Sequence, residues 1–475
     1  MTTRLEFPEG FAWGAGTAAF QIEGAAAEDG RTPSIWDTFC RTPGKVNGGD
    51  NGDIACDHYH RMKQDLDLMT TLGLRNYRFS VSWSRVLPNG SGEVNETGLD
   101  FYQRLVDGLL ERNITPMLTL YHWDLPQVLE DRGGWLSRET ADHFAELADV
   151  IGRTLGDRVS RIATLNEPWC SAFLGYGSGV HAPGRTDQGA AITAAHHLNL
   201  AHGRAVSALR AVVPSESQLS VALNLAHVRP ATDLPQDLKA AEHVEALANR
   251  IFLEPMLRGR YPEQLVENTL HLTDWAFVHD GDLEAISVPI DVLGINYYAP
   301  AKVVAPTDEL REQARGRWVN DPTQSDGGPS PWPGTDLAYA VPQPGPYTDM
   351  GWPIAPETLT ELLLGVHRDY PEMPLVVTEN GCACADVPSP DGEVDDPDRI
   401  TYIGEHLHAV HSAIQEGADV RGYYVWSLLD NFEWAWGFSK RFGLVYVDYA
   451  TQQRVPKASA HWFRKVIEAN AVTVD

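Results

Sequence analysis

The sequence predicts an α/β fold, a single (β/α)8 barrel with enlarged loops between strands and helices. Three observations predict it. Short β-branched or aliphatic runs recur along the chain, amphipathic stretches of helical period lie between them, and glycines stand where those stretches should end. The runs are Trp13 to Thr17, Leu74 to Val81, Thr115 to Leu120, Arg161 to Leu165, Leu219 to Leu223, Val292 to Ile295, Leu375 to Thr378 and Arg421 to Trp426. Most are too uniformly apolar to alternate, which is how parallel strands covered on both faces read. The helical stripes place apolar residues at i, i+3, i+4 and i+7: Tyr102, Leu105, Val106 and Leu109; Phe144, Leu147, Ala148 and Ile151; Leu359, Leu362, Leu363 and Val366. Gly73, Gly156 and Gly417 are expected as left-handed residues just past helix ends.

A length of 475 residues would by itself suggest about three domains. The unbroken alternation favours one enlarged barrel over residues 1–475, with the surplus over about 250 residues held in loops. The longest irregular stretch runs from Ala299 to about Pro356 and is rich in Pro, Gly and Asp.

Composition narrows the function. Hydrophobic residues make up 43% and charged residues 21%, which excludes disorder, collagen-like sequence and coiled coil as the main architecture. With 37 basic against 65 acidic side chains the formal charge is −28, so phosphate backbones and anionic headgroups are repelled. Neither a nucleic acid nor a membrane is expected as a partner, and homo-oligomerisation is left open. No window reaches the roughly 18 apolar residues of a membrane span, and the N-terminus lacks a secretory pattern, so a cytoplasmic protein is expected. The five cysteines, Cys40, Cys56, Cys170, Cys382 and Cys384, are odd in number and lack CxxC spacing, as suits reduced thiols. Cys382 and Cys384 read as two small loop residues. His196, His197, His406, His408 and His411 fall on helical stretches without a metal-binding pattern and are expected to be partly exposed.

Polar residues collect where the runs end, which is where a barrel places its active site. Gln21 and Glu23 follow the first run, Arg78 lies in the second, His122 and Trp123 follow the third, and Asn166, Glu167 and Pro168 end the fourth. Asn296 and Tyr298 end the sixth, Glu379, Asn380 and Gly381 the seventh, and Trp426 the eighth. Glu167 and Glu379 would face each other across the barrel mouth. Paired carboxyls suit glycoside hydrolysis, which needs one proton donor and one carboxylate at the anomeric carbon. Their placement alone also fits a metal site or an ion pair.

Seven longer motifs carry a resemblance: FAWGAGTAAFQIEGA (Phe11 to Ala25), YRFSVSWSR (Tyr77 to Arg85), YHWDLP (Tyr121 to Pro126), LNEPW (Leu165 to Trp169), GINYY (Gly294 to Tyr298), VVTENG (Val376 to Gly381) and WSLLDNFEW (Trp426 to Trp434). In this order they resemble glycoside hydrolase family 1, the β-glucosidase family, over essentially the whole chain. The resemblance implies an acid/base at Glu167 and a nucleophile at Glu379, with Arg78 and the Tyr298 hydroxyl touching Glu379 to favour its anion and Asn296 beside the pair. It implies carboxyls about 5–5.5 Å apart and retention of configuration. Asn166 is expected at the sugar 2-hydroxyl, its plainer reading being a cap. Gln21, His122, Trp123, Trp426, Glu433 and Trp434 would complete the glycone pocket. On their own, Trp426 and His122 read as core residues.

On the leaving-group side the resemblance points to Trp352, with Cys170 and Phe173 at the rim and Trp318 and Trp332 as loop candidates, and Phe442 is a further substrate-binding candidate. No metal or organic cofactor is implied. Members acting on 6-phosphoglycosides carry Ser, Lys and Tyr where this chain has Glu433, Lys440 and Phe442, and a carboxylate there would repel a phosphate dianion. The implied activity is retaining, exo-acting β-glucosidase chemistry on small-molecule substrates such as cello-oligosaccharides and aryl or alkyl β-glucosides, with some β-galactosidase and β-fucosidase activity. A transglycosidase, and from another class a silent sugar-binding protein, are the alternatives.

Overall fold

The computed structural model describes residues 3–322 and 328–474. Its centre is a closed barrel of eight parallel strands. In chain order they are β1 (Ala12–Gly16), β2 (Asn76–Ser80), β3 (Thr115–Tyr121), β4 (Arg161–Asn166), β5 (Gln218–Asn224), β6 (Val292–Asn296), β7 (Leu375–Asn380) and β8 (Val420–Trp426). Each neighbour pairs with the next and β8 closes on β1, Gly422 opposite Ala12 and Trp426 opposite Gly16. All eight expected runs are these strands, within a residue or two of their ends. Ala12, Met117, Ala163, Val292, Val376 and Tyr424, one from each of six strands, form a separate apolar cluster. Apolar layers of this kind make a barrel interior a packed core instead of a channel.

A helix returns the chain after each strand: α1 (His58–Thr71), α2 (Glu96–Leu110), α3 (Glu139–Leu155), α4 (Gln188–Arg210), α5 (Pro235–Glu245, continuing through 246–250 into Ile251–Arg258), α6 (Glu357–Asp369), α7 (Pro397–Gln415) and α8 (Ala458–Ala469). The three expected stripes are the buried faces of α2, α3 and α6. Outside β3, Phe144 of α3 meets Trp83 at 5.5 Å, Tyr121 at 6.2 Å and Trp135 at 6.3 Å between ring centroids. No helix among the described residues is long and apolar enough to cross a membrane.

Three expectations need correction. Gly73 and Gly417 do turn left-handed, with φ of 68° and 106°, but Gly156 keeps helical φ at −62°. It is small because a Cβ there would lie 2.8 Å from Val213 and 2.3 Å from the Gly152 carbonyl. His196, His197 and His406 are buried, while His408 is exposed and His411 half-buried. Alanines around His196 and His197 let α4 sink into the fold, where His196 meets Tyr261 and Asp282 at 2.9 and 3.0 Å and His197 meets the Trp135 carbonyl at 2.9 Å. Burial pushes His196 and His406 down to about 4. The stretch from Ala299 to Pro356 also has regular structure. Ser330–Pro331, Tyr339–Ala340, Ala301–Val304 and Val228–Pro230 form a four-stranded sheet in that order, over the barrel mouth.

Phe144 is fully buried. Phe144→Ala should cost about 3–5 kcal/mol of stability, read as a lowered urea midpoint, while activity per folded molecule stays near the parent value.

Candidate active site

The C-terminal ends of the strands are irregular where the functional residues stand. Register shifts interrupt β4 against β5 between Ala163 and Asn166, and β7 against β6 between Val377 and Glu379. Such bulges re-aim side chains beside active sites. Beyond β4, Glu167 adopts φ of 45°, held by its N–H to the Ala222 carbonyl at 2.8 Å. Trp123 and Trp434 also have positive φ, 76° and 46°. Side chains with a Cβ pay for that conformation, and the surrounding structure must enforce it.

These ends enclose a cavity of about 300 Å³. Glu167, Glu379, Asn296, Tyr298, His122, Trp123, Trp352, Trp426, Glu433, Trp434 and Phe442 line it. Arg78, Gln21 and Asn166 stand behind that lining, fully buried. Arg78 Nη1 donates to Glu379 Oε1 at 2.5 Å, and the Tyr298 hydroxyl donates to Glu379 Oε2 at 2.7 Å. Nη2 of Arg78 donates to Asn166 Oδ1 at 2.6 Å. Asn296 Nδ2 donates to Glu167 Oε1 at 2.7 Å and to Asn166 Oδ1 at 2.9 Å. One chain of contacts therefore joins both carboxyls.

The two carboxyls differ in their surroundings. Glu379 receives a guanidinium and a phenol, an arrangement complementary to an anion. Glu167 is pushed up to about 8, first by burial and then by the charge of Glu379, against hydrogen bonds from Asn296 and Cys170. Glu433 is also pushed up to about 8, by burial, then Glu379, then Glu167. His122 is driven well below its ordinary value by burial and then by Arg78, so its imidazole is neutral. His122 Nε2 meets Asn166 Nδ2 at 3.0 Å. The other ring nitrogen, with Gln21 Oε1 and Glu433 Oε2, is buried without a protein partner. Three unsatisfied polar atoms in one neighbourhood suit a polyhydroxylated ligand.

The family model for glycosyl hydrolase family 1 matches residues 3–472. The chain belongs to this family. A curated relative from Bifidobacterium breve, named bifunctional beta-D-glucosidase/beta-D-fucosidase, is 51% identical, the match covering 97% of this chain and 98% of that protein. The family 1 β-glucosidase of Thermotoga maritima in complex with isofagomine lactam superposes with a TM-score of 0.90 at 43% identity, covering 99% of this chain and 100% of that one. A second structure of that enzyme, with galacto-hydroximolactam, has a TM-score of 0.88 at 43% identity and covers 98% and 99% of the two chains.

Within this family 1 site the structure modifies several sequence expectations. Phe173 is buried and stacks on Trp169 at 5.7 Å, away from the cavity lining. Cys170 does line the cavity, and its S–H donates to Glu167 Oε2 at 3.2 Å. Trp332 lines the same cavity as the two carboxyls, and Trp318 lines an adjoining one that shares Trp352 with it. Glu23 takes no part, being ion-paired to Arg85 at 3.0 Å and bonded by the Tyr102 hydroxyl. Sequence reading missed Thr378, whose hydroxyl donates to Asn296 Oδ1 at 2.7 Å and so points the amide nitrogen of Asn296 at Glu167. Thr378 stands in the VVTENG motif, a signal that was available. Lys302, on the Ala301–Val304 strand, and Asn320 and Gln343, outside regular elements, also line the cavity and belong to no motif.

The raised carboxyls have a consequence for stability. The folded state holds a proton on Glu433 up to about 8, whereas the ordinary carboxyl value is 4.5. Its contribution to stability is complete below pH 4.5 and is lost as pH rises toward 8. Glu433→Gln should therefore gain several degrees in melting temperature relative to the parent at pH 8 compared with pH 5. Parallel melting curves across that range would contradict the assignment.

Proposed function

We propose that this chain is a retaining, exo-acting β-glucosidase in which Glu379 is the nucleophile and Glu167 the acid/base. The observation that carries the reading is the unequal treatment of two carboxyls in one cavity. Glu379 accepts from Arg78 and Tyr298, while Glu167 holds its proton to about 8. In the first step a Glu379 oxygen attacks the anomeric carbon as Glu167 gives its proton to the departing oxygen, leaving a glycosyl ester and a free alcohol. Esterification removes the charge of Glu379, the second cause of the raised Glu167 value. Glu167 then loses its hold on a proton and takes one from the incoming water, which displaces Glu379 with net retention. Transfer to an alcohol instead of water would follow the same path.

The proposed substrates are cello-oligosaccharides and aryl or alkyl β-glucosides. Tolerance of fucosides and galactosides is supported by the name of the Bifidobacterium relative and by the galacto-configured inhibitor bound to the Thermotoga enzyme. A 6-phosphoglycoside fits less well. Lys440, the one cation retained from that pattern, is bound to Asp349 Oδ2 at 3.0 Å and its carbonyl at 2.6 Å, so its charge is already paired; the repulsion expected from a Glu433 carboxylate is not available, because Glu433 is held protonated up to about 8. We place the activity in the cytoplasm within one domain over the whole chain, readings supported by five free thiols and by one family match from 3 to 472.

A chromogenic aryl β-glucoside should be hydrolysed, with the β-anomer of glucose as first product. Glucose binding without release of the aryl alcohol would leave only a sugar-binding protein. Glu379→Gln should abolish turnover with the fold intact. Glu167→Ala should cost about 10²–10⁴-fold on poor leaving groups and least on activated ones, with added azide restoring rate. In the parent enzyme kcat/KM should fall as pH rises through about 8, where Glu167 loses its proton. Equal slowing for all leaving groups without azide rescue, or no alkaline limb, would count against Glu167.

A further inference from the structure

The loop that leaves β7 carries two thiols the reaction does not use. Cys382 and Cys384 place their sulfurs 3.6 Å apart. Cys382 is buried and Cys384 half-buried. Ala383, the one residue between them, belongs to the apolar cluster of Ala18, Trp426 and Phe442, against which Tyr298, Met350 and Trp352 pack. Its carbonyl accepts the Asp349 N–H at 3.0 Å, which ties the Trp352 loop to this point. Just before it, Gly381 runs so close to Trp426 that a Cβ would fall 1.8 Å from the Trp426 carbonyl oxygen. The thiols therefore flank the residue that supports both the glycone platform and the leaving-group wall.

Their environments are unequal. Cys384 is held below the usual thiol range, first by the hydrogen bond from Cys382, with Arg399 and Lys457 adding positive charge against burial and Asp386. Cys382 is held well above it, by the same hydrogen bond and by burial. A half-buried sulfur held below the usual thiol range, 3.6 Å from a buried sulfur held above it, is the arrangement in which the first attacks and the second resolves.

We propose that Cys382 and Cys384 form a reversible dithiol–disulfide site, closed by exchange with a low-molecular-weight disulfide, and that closing it weakens substrate binding. The Cys384 thiolate attacks one sulfur of the small disulfide, whose S–S bond breaks and expels one thiolate. Cys382 then gives up its proton and attacks the Cys384 sulfur, expelling the second thiolate and forming the Cys382–Cys384 bond. Two electrons pass to the small disulfide, which leaves as two thiols. A disulfide bond is about 2.05 Å, so the sulfurs must approach by roughly 1.5 Å. Ala383 lies inside the ring that forms and must shift, carrying the contacts to Trp426, Phe442 and Asp349 with it.

The test is to incubate the full chain with glutathione disulfide, quench in acid, alkylate and digest with trypsin. Peptide 369–399 contains these two cysteines and no other. It should lose both alkylation sites and become two hydrogen masses lighter, with KM for an aryl β-glucoside raised several-fold and kcat changed less. Dithiothreitol should restore both, and KM of Cys384→Ser should not respond to the disulfide. A peptide keeping two alkylatable thiols, or carrying only mixed disulfides, would overturn the proposal. So would a closed bond with unchanged KM, or an equal KM response in Cys384→Ser, which would move the effect to another thiol such as Cys170. The mass change is read without catalysis, so failure of the thiol site is distinguishable from failure of the hydrolase reading.

Discussion

The Arg78 guanidinium is the interaction on which the site depends. It is buried on β2 inside the barrel and donates to Glu379 from one nitrogen and to Asn166 from another. Removing one partner of a buried ion pair leaves an uncompensated charge at a cost of about 3–5 kcal/mol, so Arg78 and Glu379 require each other. Asn166, thus fixed, orders Asn296 and His122, and Asn296 in turn reaches Glu167. A cation contributed by one strand thereby sets side chains on, or one residue past the ends of, four others.

The same cation explains the distribution of protons around it. Three carboxyls, on Glu167, Glu379 and Glu433, share one buried cavity. Glu379 takes the guanidinium and Tyr298, and the other two are driven toward their neutral forms by burial and by its charge. Like charges in a low-dielectric space cannot all persist. In their neutral forms these two groups can donate a hydrogen bond as well as accept one.

The barrel was legible because strands buried on both faces leave continuous apolar runs, and these eight do. That these residues gather at one cavity was legible through motifs long enough to carry His122 and Glu433 into its lining and Gln21 and Asn166 behind it. Apart from Thr378, what escaped had no one-dimensional signal. A two-residue strand such as Ser330–Pro331 shows no period. Gly156 is helical, and its smallness answers Val213, far along the chain, instead of its own backbone. His196 and His406 looked like surface residues because burial on a helix depends on what packs outside it. The positive φ of Glu167 is imposed by contacts with Ala222 on the next strand, which local sequence does not encode.

The small sheet over the mouth has an evolutionary implication. Its Ala301–Val304 strand pairs in parallel with Val228–Pro230 and antiparallel with Tyr339–Ala340. Lys302 opens on the cavity while Val303 is buried in the core. Because side chains alternate along a strand, inserting one residue would exchange a cationic lining for an aliphatic one, with no change to the barrel beneath. One wall of the cavity can thus change its chemistry by slippage in an accessory ribbon while the strand ends below keep their side chains in place.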